Sequence, residues 1–581
     1  MEILKLIVFI FSCIGYYIHI KRKSELKAEF IPIVLISGIT VIVFLGGILN
    51  FLEVTVYILG IIGVILLFKN LYLIIKNKEK LDINKNILIL GLLLGWAAWI
   101  LKGVILTHYD NFSHWAMIIR EMISENRLPN FESTTILFTS YPPGTACFVY
   151  FVCKYLGCSE SIMLFAQSIL ILSGLYTLFA FADRKNKVNY IIAFITIIYF
   201  LITNIFINQL LVDTVLPVMG IAALSLILYY KDDSKKGLTY SISIFTMLIL
   251  VKNSGVFFII VDILVWFKIF IKNNGFKALF KTKYLLLLLL PICVLLIWNA
   301  HTDIVFESAN TAKHSMSIEN YLINLENKED SDFSLIISQM KERMISLNDI
   351  DNQILIICII AYLVMFVLSL KSKESRNEII GLLITFVLTY VLYQISLFAM
   401  YVFSMPTYEA RHLAAYTRYF RTMVMFNVGI TCITIVRFLN VFGFDRNSKE
   451  YITKIILIIL ICIPVYLNKN AVGLLYKNTS GGNATRNIIL SCKNIHSIEE
   501  QKSYLIYLSD NTEFDPDYMY YICKYDFRSK DVKVIKNFSE LENMDKVFDY
   551  DYFIMLEKDE STNEFLNIIK GDLGADVIRF R

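Results

Sequence analysis

Apolar runs of roughly 16–23 residues, separated by short Lys/Arg clusters, recur along most of this chain, and no other feature limits its fold so strongly. A helix rising 1.5 Å per residue needs about 20 such residues to cross a ~30 Å hydrocarbon layer. A membrane barrel would instead show short alternating strands. The runs therefore predict an all-α polytopic membrane protein. Composition agrees, because 56% of the 581 residues are hydrophobic and only 18% charged, against about a quarter charged in soluble domains. The net charge of +5 sits in the short loops, where it orients helices and gives no support for nucleic-acid binding. The ten cysteines lie mostly inside apolar runs without CxxC spacing, which argues against a disulfide framework or a zinc ribbon.

Fourteen spans are expected, at about 1–20, 31–50, 54–76, 86–107, 160–182, 188–208, 211–230, 237–251, 254–271, 284–299, 352–370, 379–401, 419–437 and 453–468. The first lacks a small-residue cleavage site and runs into Lys21, Arg22 and Lys23, so it reads as a retained helix. By the positive-inside rule, the basic clusters at 21–27, 76–85, 184–187, 231–236, 272–283, 371–376 and 437–454 face the cytoplasm. Loops 108–159, 300–351 and 402–418 then face outward. Counting 142–157 as a full span would put Arg184, Lys185 and Lys187 outside, so this segment is expected to be an interfacial helix entered through Pro142 and Pro143.

Residues 1–468 thus make the membrane domain. From 469 to 581 the chain turns polar, and strand-like 503–508, 532–535 and 552–556 alternate with helix-like stretches, predicting a small extracytoplasmic α/β domain. Its Cys492 and Cys523 are open to pairing or to remaining free thiols. Asn478 and Asn483 match the glycosylation pattern, which matters only in a secretory eukaryotic host. The Ile/Asn/Lys-heavy composition points to an AT-rich bacterial genome, so the expected location is the bacterial cell membrane. No internal repeat is visible, which weighs against an inverted-repeat transporter.

The polar residues that break the apolar pattern gather on the outward side. His108-Tyr109-Asp110-Asn111-Phe112-Ser113-His114-Trp115 follows the fourth span directly, and an ionisable Asp among aromatics at a helix mouth is a costly arrangement. A solvated Asp in an aromatic interface belt is the plainer alternative. The same side receives Tyr141, Asp213, the turn Lys252-Asn253-Ser254-Gly255, then His301, Lys313, His314, Arg411, His412, Arg418 and Tyr419. Taken singly, Lys252 is a snorkelling side chain and Arg418 a headgroup anchor. Taken together, one carboxylate and several cations at a membrane's outer surface suit transfer of a sugar from a polyprenyl-phosphate carrier. The carboxylate would accept the proton of the attacking hydroxyl, and the cations would stabilise the departing phosphate. No Gly-rich phosphate loop occurs at a soluble strand-to-helix turn, so no nucleotide is expected.

These residues resemble the GT-C membrane glycosyltransferases, nearest to the bacterial branch related to protein O-mannosyltransferases and lipid A aminoarabinose transferases. The likeness rests on Asp110 in the first large outer loop, Tyr141-Pro142-Pro143-Gly144 opening a juxtamembrane helix, the membrane-embedded Asp213, the Lys252-Asn253-Ser254-Gly255 turn and the late Arg418-Tyr419; it covers about residues 86–440. It implies a GT-C-like fold, Asp110 as the base, and Lys252 and Arg418 as ligands of the lipid phosphate. Asp213 is a possible second acidic group, with His114, Tyr141, Arg411 and His412 as further candidates. Many relatives carry two adjacent acidic residues where this chain has Asp110-Asn111, which counts against a metal-assisted version.

The implied partners are a polyprenyl-phosphate-linked sugar, a glycan, lipid or protein acceptor of the cell envelope, and membrane lipids. No cofactor is required. A divalent metal held by His108, Asp110 and His114 is the sharper variant, since Asp110 and His114 share a face in a helix. A polysaccharide polymerase or ligase using a lipid-diphosphate donor is the alternative enzyme. A lipid-linked sugar transporter is the non-enzymatic reading, disfavoured because few charges fall in the middle of spans.

Overall fold

The computed structural model describes residues 2–79, 84–131, 133, 136–182, 186–203, 207–280, 283–306, 317–441, 448–477, 484–541, 544–568 and 576–580. Arg184, Lys185, Lys313, His314, Asn478 and Asn483 lie outside the described residues.

The chain is a multi-pass membrane protein. Among the described residues, eight helices are long and apolar enough to cross a membrane, and up to ten if each of two sharply bent pairs is one span. That is fewer than the fourteen runs. The run at 86–107 is helical only over Ile87–Ile100, that at 188–208 over Lys187–Ile202, and that at 211–230 over Val215–Tyr229. At 1.5 Å per residue none of these reaches 30 Å. Their remaining described residues leave the helix as turns and irregular chain, so hydrophobicity overstates helix length here. Val215–Tyr229 also turns by 80° into the helix that ends at Val251.

The helix expected at the interface, Gly144–Leu156, lies inside the protein. Its residues from Gly144 to Cys153 are all buried, as is Tyr155. A helix apolar on every side has no polar face to give to headgroups, and packing inside the bundle satisfies it.

Two ends of the bundle can be told apart. Arg22 pairs with Glu79 at 2.9 Å, Lys236 with Glu25, Asn273 donates to the Lys231 carbonyl at 2.6 Å, and Lys231 and Arg437 share Glu378 at 3.0 and 2.6 Å. These contacts bring described residues of the clusters at 21–27, 76–85, 231–236, 272–283 and 437–454 to one end; Arg184 and Lys185 of the cluster at 184–187 lie outside the described residues. The loop carrying Asp110 occupies the other end, joined there by the C-terminal segment.

That segment holds a four-stranded sheet: β1 (Tyr504–Tyr507), β2 (Val532–Ile535), β3 (Tyr552–Met555) and β4 (Val577–Arg579), in the order β2-β1-β3-β4. β1 runs parallel to β2 and β3, and β4 antiparallel to β3. The three expected strands are these first three. Alternation sends Tyr504 and Ile506 to the core shared with the bundle, while Leu505 and Tyr507 join Phe553 and Phe565 in a second core. Both faces are covered, which is why these strands read as nearly continuous apolar runs. Cys492 and Cys523 are free thiols.

Candidate functional site

Asp110 caps a π-helical turn, Asn111–Trp115, which leads into the helix Ala116–Glu125. Its position is fixed by its neighbour. The buried Asn111 amide donates to Gln209 Oε1 at 2.5 Å and its carbonyl oxygen accepts from the Leu210 N–H at 3.1 Å. Gln209 in turn donates to Thr107 Oγ1 at 2.9 Å, and Gln167 donates to the Gln209 and Leu211 carbonyls, each at 3.2 Å. Asn111 therefore ties two loops together and brings Asp213 toward Asp110. Sequence reasoning passed over this role, and the only available signal was the polar pair Asn208-Gln209 inside an apolar run.

Arg418 bridges the two carboxylates. Its Nη1 donates to Asp110 Oδ2 at 2.7 Å and its Nε lies 3.6 Å from Asp213 Oδ1. The Asp110 side chain is 22% exposed against 4% for Asp213, so Asp110 is the carboxylate a ligand can reach. Arg418 begins the long helix Tyr416–Val441 just after a turn in which Leu413 (φ 45°) and Ala415 (φ 58°) are both left-handed. That backbone costs a non-glycine residue roughly 1–2 kcal/mol. The turn is pinned by Tyr401, whose hydroxyl donates to the Ala414 carbonyl at 2.8 Å. Strain held in place beside a charged cluster marks the turn as one that positions Arg418.

Lys252 completes the group. It follows the helix Ser234–Val251 in extended backbone and is half-buried, with its ammonium 5.2 Å from the Tyr141 ring centroid and 5.0 Å from that of Tyr419. Two glycines make this approach available. A Cβ on Gly144 would lie 2.6 Å from the Leu250 carbonyl oxygen, and one on Gly255 would lie 2.3 Å from that of Leu248. Gly144 thus lets its helix pack against Leu250, two residues before Lys252, while Gly255 lets the next helix fold back on Leu248, and Tyr141 comes under Lys252. Burial alone would lower the Lys252 pKa, but Tyr141, Tyr419 and Asp213 raise it above the usual lysine value.

Among the described residues no hydrogen bond engages Asp110 Oδ1, Arg418 Nη2 or Lys252 Nζ; Arg418 Nε lacks one as well but faces Asp213 Oδ1 at 3.6 Å, and Asp110 Oδ1 lies 3.9 Å from His108 Nδ1. A carboxylate oxygen and two cationic donors are therefore free to meet a ligand.

The histidines play other parts. His108 Nδ1 accepts from the Asp110 N–H at 3.1 Å, and burial lowers its pKa, so the ring is neutral with its proton on Nε2. His114 is 1% exposed, boxed by Trp115, Phe138 and Tyr141 at ring distances of 4.8 to 5.5 Å, and neither ring nitrogen has a hydrogen-bond partner. Burial lowers its pKa to about 3. The His108, Asp110 and His114 convergence expected for a metal does not form: among the described residues, no three His, Cys, Asp or Glu side chains are arranged to hold a metal ion. Arg411 pairs with Asp332, and His412 Nδ1 lies 2.9 Å from the Tyr408 carbonyl oxygen. Both therefore serve the loop before Arg418 and make no contact with the cluster.

The C-terminal domain packs on the Asp110 loop. Arg486, 3% exposed, donates to the Leu106 carbonyl at 2.7 Å and pairs with Glu160 at 2.6 Å and Asp526 at 2.8 Å. Its guanidinium lies 4.9 Å from the Phe112 ring centroid, Tyr109 meets Tyr521 at 5.2 Å, and the Tyr518 hydroxyl donates to the Thr107 carbonyl. The loop and the tail share one end of the molecule. No family model and no curated protein matches the chain.

Proposed function

We propose that this protein is a GT-C-type glycosyltransferase of the bacterial cell membrane, moving a sugar from a polyprenyl-phosphate carrier to a cell-envelope acceptor on the outer face. The observation that carries this reading is the Asp110, Arg418 and Lys252 cluster, in which Asp110 Oδ1, Arg418 Nη2 and Lys252 Nζ are engaged by no hydrogen bond among the described residues. The acceptor hydroxyl attacks the anomeric carbon, and its proton passes to Asp110 Oδ1 as the new C–O bond forms. The old bond from the anomeric carbon to the phosphate oxygen breaks with its electron pair leaving on phosphate, where Lys252 Nζ and Arg418 Nη2 stabilise the growing charge. Asp213, nearly buried, holds Arg418 in register and is a positioning residue. The tyrosine rings under Lys252 keep its ammonium desolvated without neutralising it.

The test is to reconstitute the protein in lipid nanodiscs and present radiolabelled polyprenyl-monophosphate and polyprenyl-diphosphate sugars with cell-envelope fractions. Transfer from the monophosphate donor, lost in Asp110→Asn, is the expected result. Transfer from the diphosphate alone would move the reading to a polymerase or ligase, and movement of the lipid across the bilayer without transfer would make the protein a transporter.

A further inference from the structure

About 28 Å from Arg418 along the same helix, by the rise per residue, Arg437 borders a cavity of about 820 Å³ at the basic end of the bundle. Lys21, Lys27 and Lys231 line it too. Lys231 and Arg437 share a single carboxylate, Glu378. Lys27 donates to the Ala180 carbonyl and sits 4.7 Å from the Tyr229 ring centroid, and no carboxylate among the described residues answers it. The second carboxylate of the region is Glu29, 1% exposed and also lining the cavity. Its Oε1 accepts from the Asn84 and Asn86 side-chain amides, each at 2.7 Å, while Oε2 has no hydrogen-bond partner among the described residues.

Among the described residues, Lys27, Lys231 and Arg437 meet only Glu378 and Glu29, which leaves a positive excess, and the volume suits a small ligand. Loop anchors that only set topology would spread their charges over the surface toward water and lipid phosphates. Here they converge, from segments distant in sequence, on one hollow that also contains an acceptor lacking a donor.

We propose that this cavity binds a phosphate ester that carries hydroxyl groups, of the phosphoglycerol class. The phosphate is held by the Lys27, Lys231 and Arg437 side, as charge-assisted hydrogen bonding favours, and a hydroxyl supplies the donor that Glu29 Oε2 lacks. The same chemistry arrives in two forms, as the headgroup of an anionic inner-leaflet lipid or as a free glycerol phosphate. Basic pockets between helices on the cytoplasmic side are suited to the lipid form. This site stands whether or not the Asp110 end transfers sugar.

The experiment is native mass spectrometry of the full chain in detergent, titrated with short-chain phosphatidylglycerol, phosphatidylcholine or phosphatidic acid, with glycerol 1-phosphate as competitor. The expected result is phosphatidylglycerol bound about 10-fold more tightly than phosphatidylcholine, a preference lost in Lys27→Gln. Melting in phosphatidylcholine checks the fold of each variant, and Lys231→Gln replaces Lys27→Gln if the latter is unfolded. Competition by glycerol 1-phosphate shows that the headgroup suffices; its absence, with the lipid preference intact, assigns the site to lipid. Glu29→Gln is expected to reduce the advantage of phosphatidylglycerol over phosphatidic acid. Equal binding of phosphatidylglycerol and phosphatidylcholine, or a preference that survives in the folded lysine variant, overturns the anion site; an unchanged phosphatidylglycerol to phosphatidic acid ratio in Glu29→Gln overturns its hydroxyl half.

Discussion

At the Asp110 end, two carboxylates face two cations, with Arg418 bridging Asp110 and Asp213 while Lys252 rests on two tyrosine rings. At the opposite end, Lys231 and Arg437 crowd one carboxylate, and among the described residues Lys27 has none. The first arrangement is balanced and partly dry, so a proton or a phosphate entering it meets preorganised partners. The second carries an excess and suits holding an anion without transforming it. Similar residue types serve unlike ends because burial and pairing, more than composition, set what a charge can do.

The comparison breaks outright if the two ends are not on opposite sides of the membrane. In a cysteine-depleted protein, Glu125→Cys near the Asp110 loop should label with impermeant maleimide in intact cells, and Lys373→Cys at the basic end should not. The reverse pattern would invert the proposed orientation.

Within the Asp110 end, the largest graded effect is expected for Asp110→Asn. The change keeps shape and an acceptor oxygen but removes basicity, so turnover should fall by ~10²- to 10⁴-fold with donor binding retained. Near-normal turnover would remove Asp110 as base and, if Asp213→Asn abolishes transfer, pass the role to Asp213.

Next comes Arg486, whose loss would strand Glu160 and Asp526 at the join between tail and loop. Arg486→Met should destabilise that join by about 3–5 kcal/mol, read as faster trypsin cleavage of the C-terminal domain and a lower melting temperature. Unchanged protease resistance would show that the sheet domain is held mainly by its apolar contacts.

Lys252→Gln and Lys27→Gln sharpen the contrast directly. The first should weaken polyprenyl-phosphate-sugar binding by about 10-fold, roughly 1.4 kcal/mol, and the second should leave it unchanged. Equal effects from both would mean that the two ends are not functionally distinct.

The smallest effect concerns acid. His114 is buried with its pKa lowered to about 3, so the folded state binds fewer protons than the unfolded state below the ordinary histidine pKa of about 6.5. Its contribution is therefore intact above pH ~6.5 and lost progressively as pH falls toward 3, costing about 1 kcal/mol at pH 5.5. His114→Phe should flatten the acid limb of a melting-temperature profile; an unchanged limb would assign the acid sensitivity elsewhere.

Much of this was legible in the chain. The run lengths and basic clusters predicted a helical membrane protein with its clusters at one end, and the strands at 504–507, 532–535 and 552–555 fell where β-branched and aromatic residues crowd. β4, only three residues long, gave too short a pattern to read. The site residues Asp110, Asp213, Lys252, Arg418 and Tyr141 stood out because charge and aromatic rings interrupt apolar sequence at a membrane boundary. Arg411 and His412 stood out for the same reason and proved to stabilise a loop, since a residue's type does not reveal its partner.

What the sequence alone determined was the solvent of each segment, because transfer free energy accumulates residue by residue along a run and needs no knowledge of neighbours. Which apolar residues become helix, and which become the turns and irregular chain that carry His108, Gln209 and Asp213, was decided only by tertiary structure. So was the meeting of Asp110 with Arg418, 308 positions apart. An ion pair depends on distance and burial, and both are set by how the helices close around the Gly144 and Gly255 contacts rather than by anything local to the residues themselves.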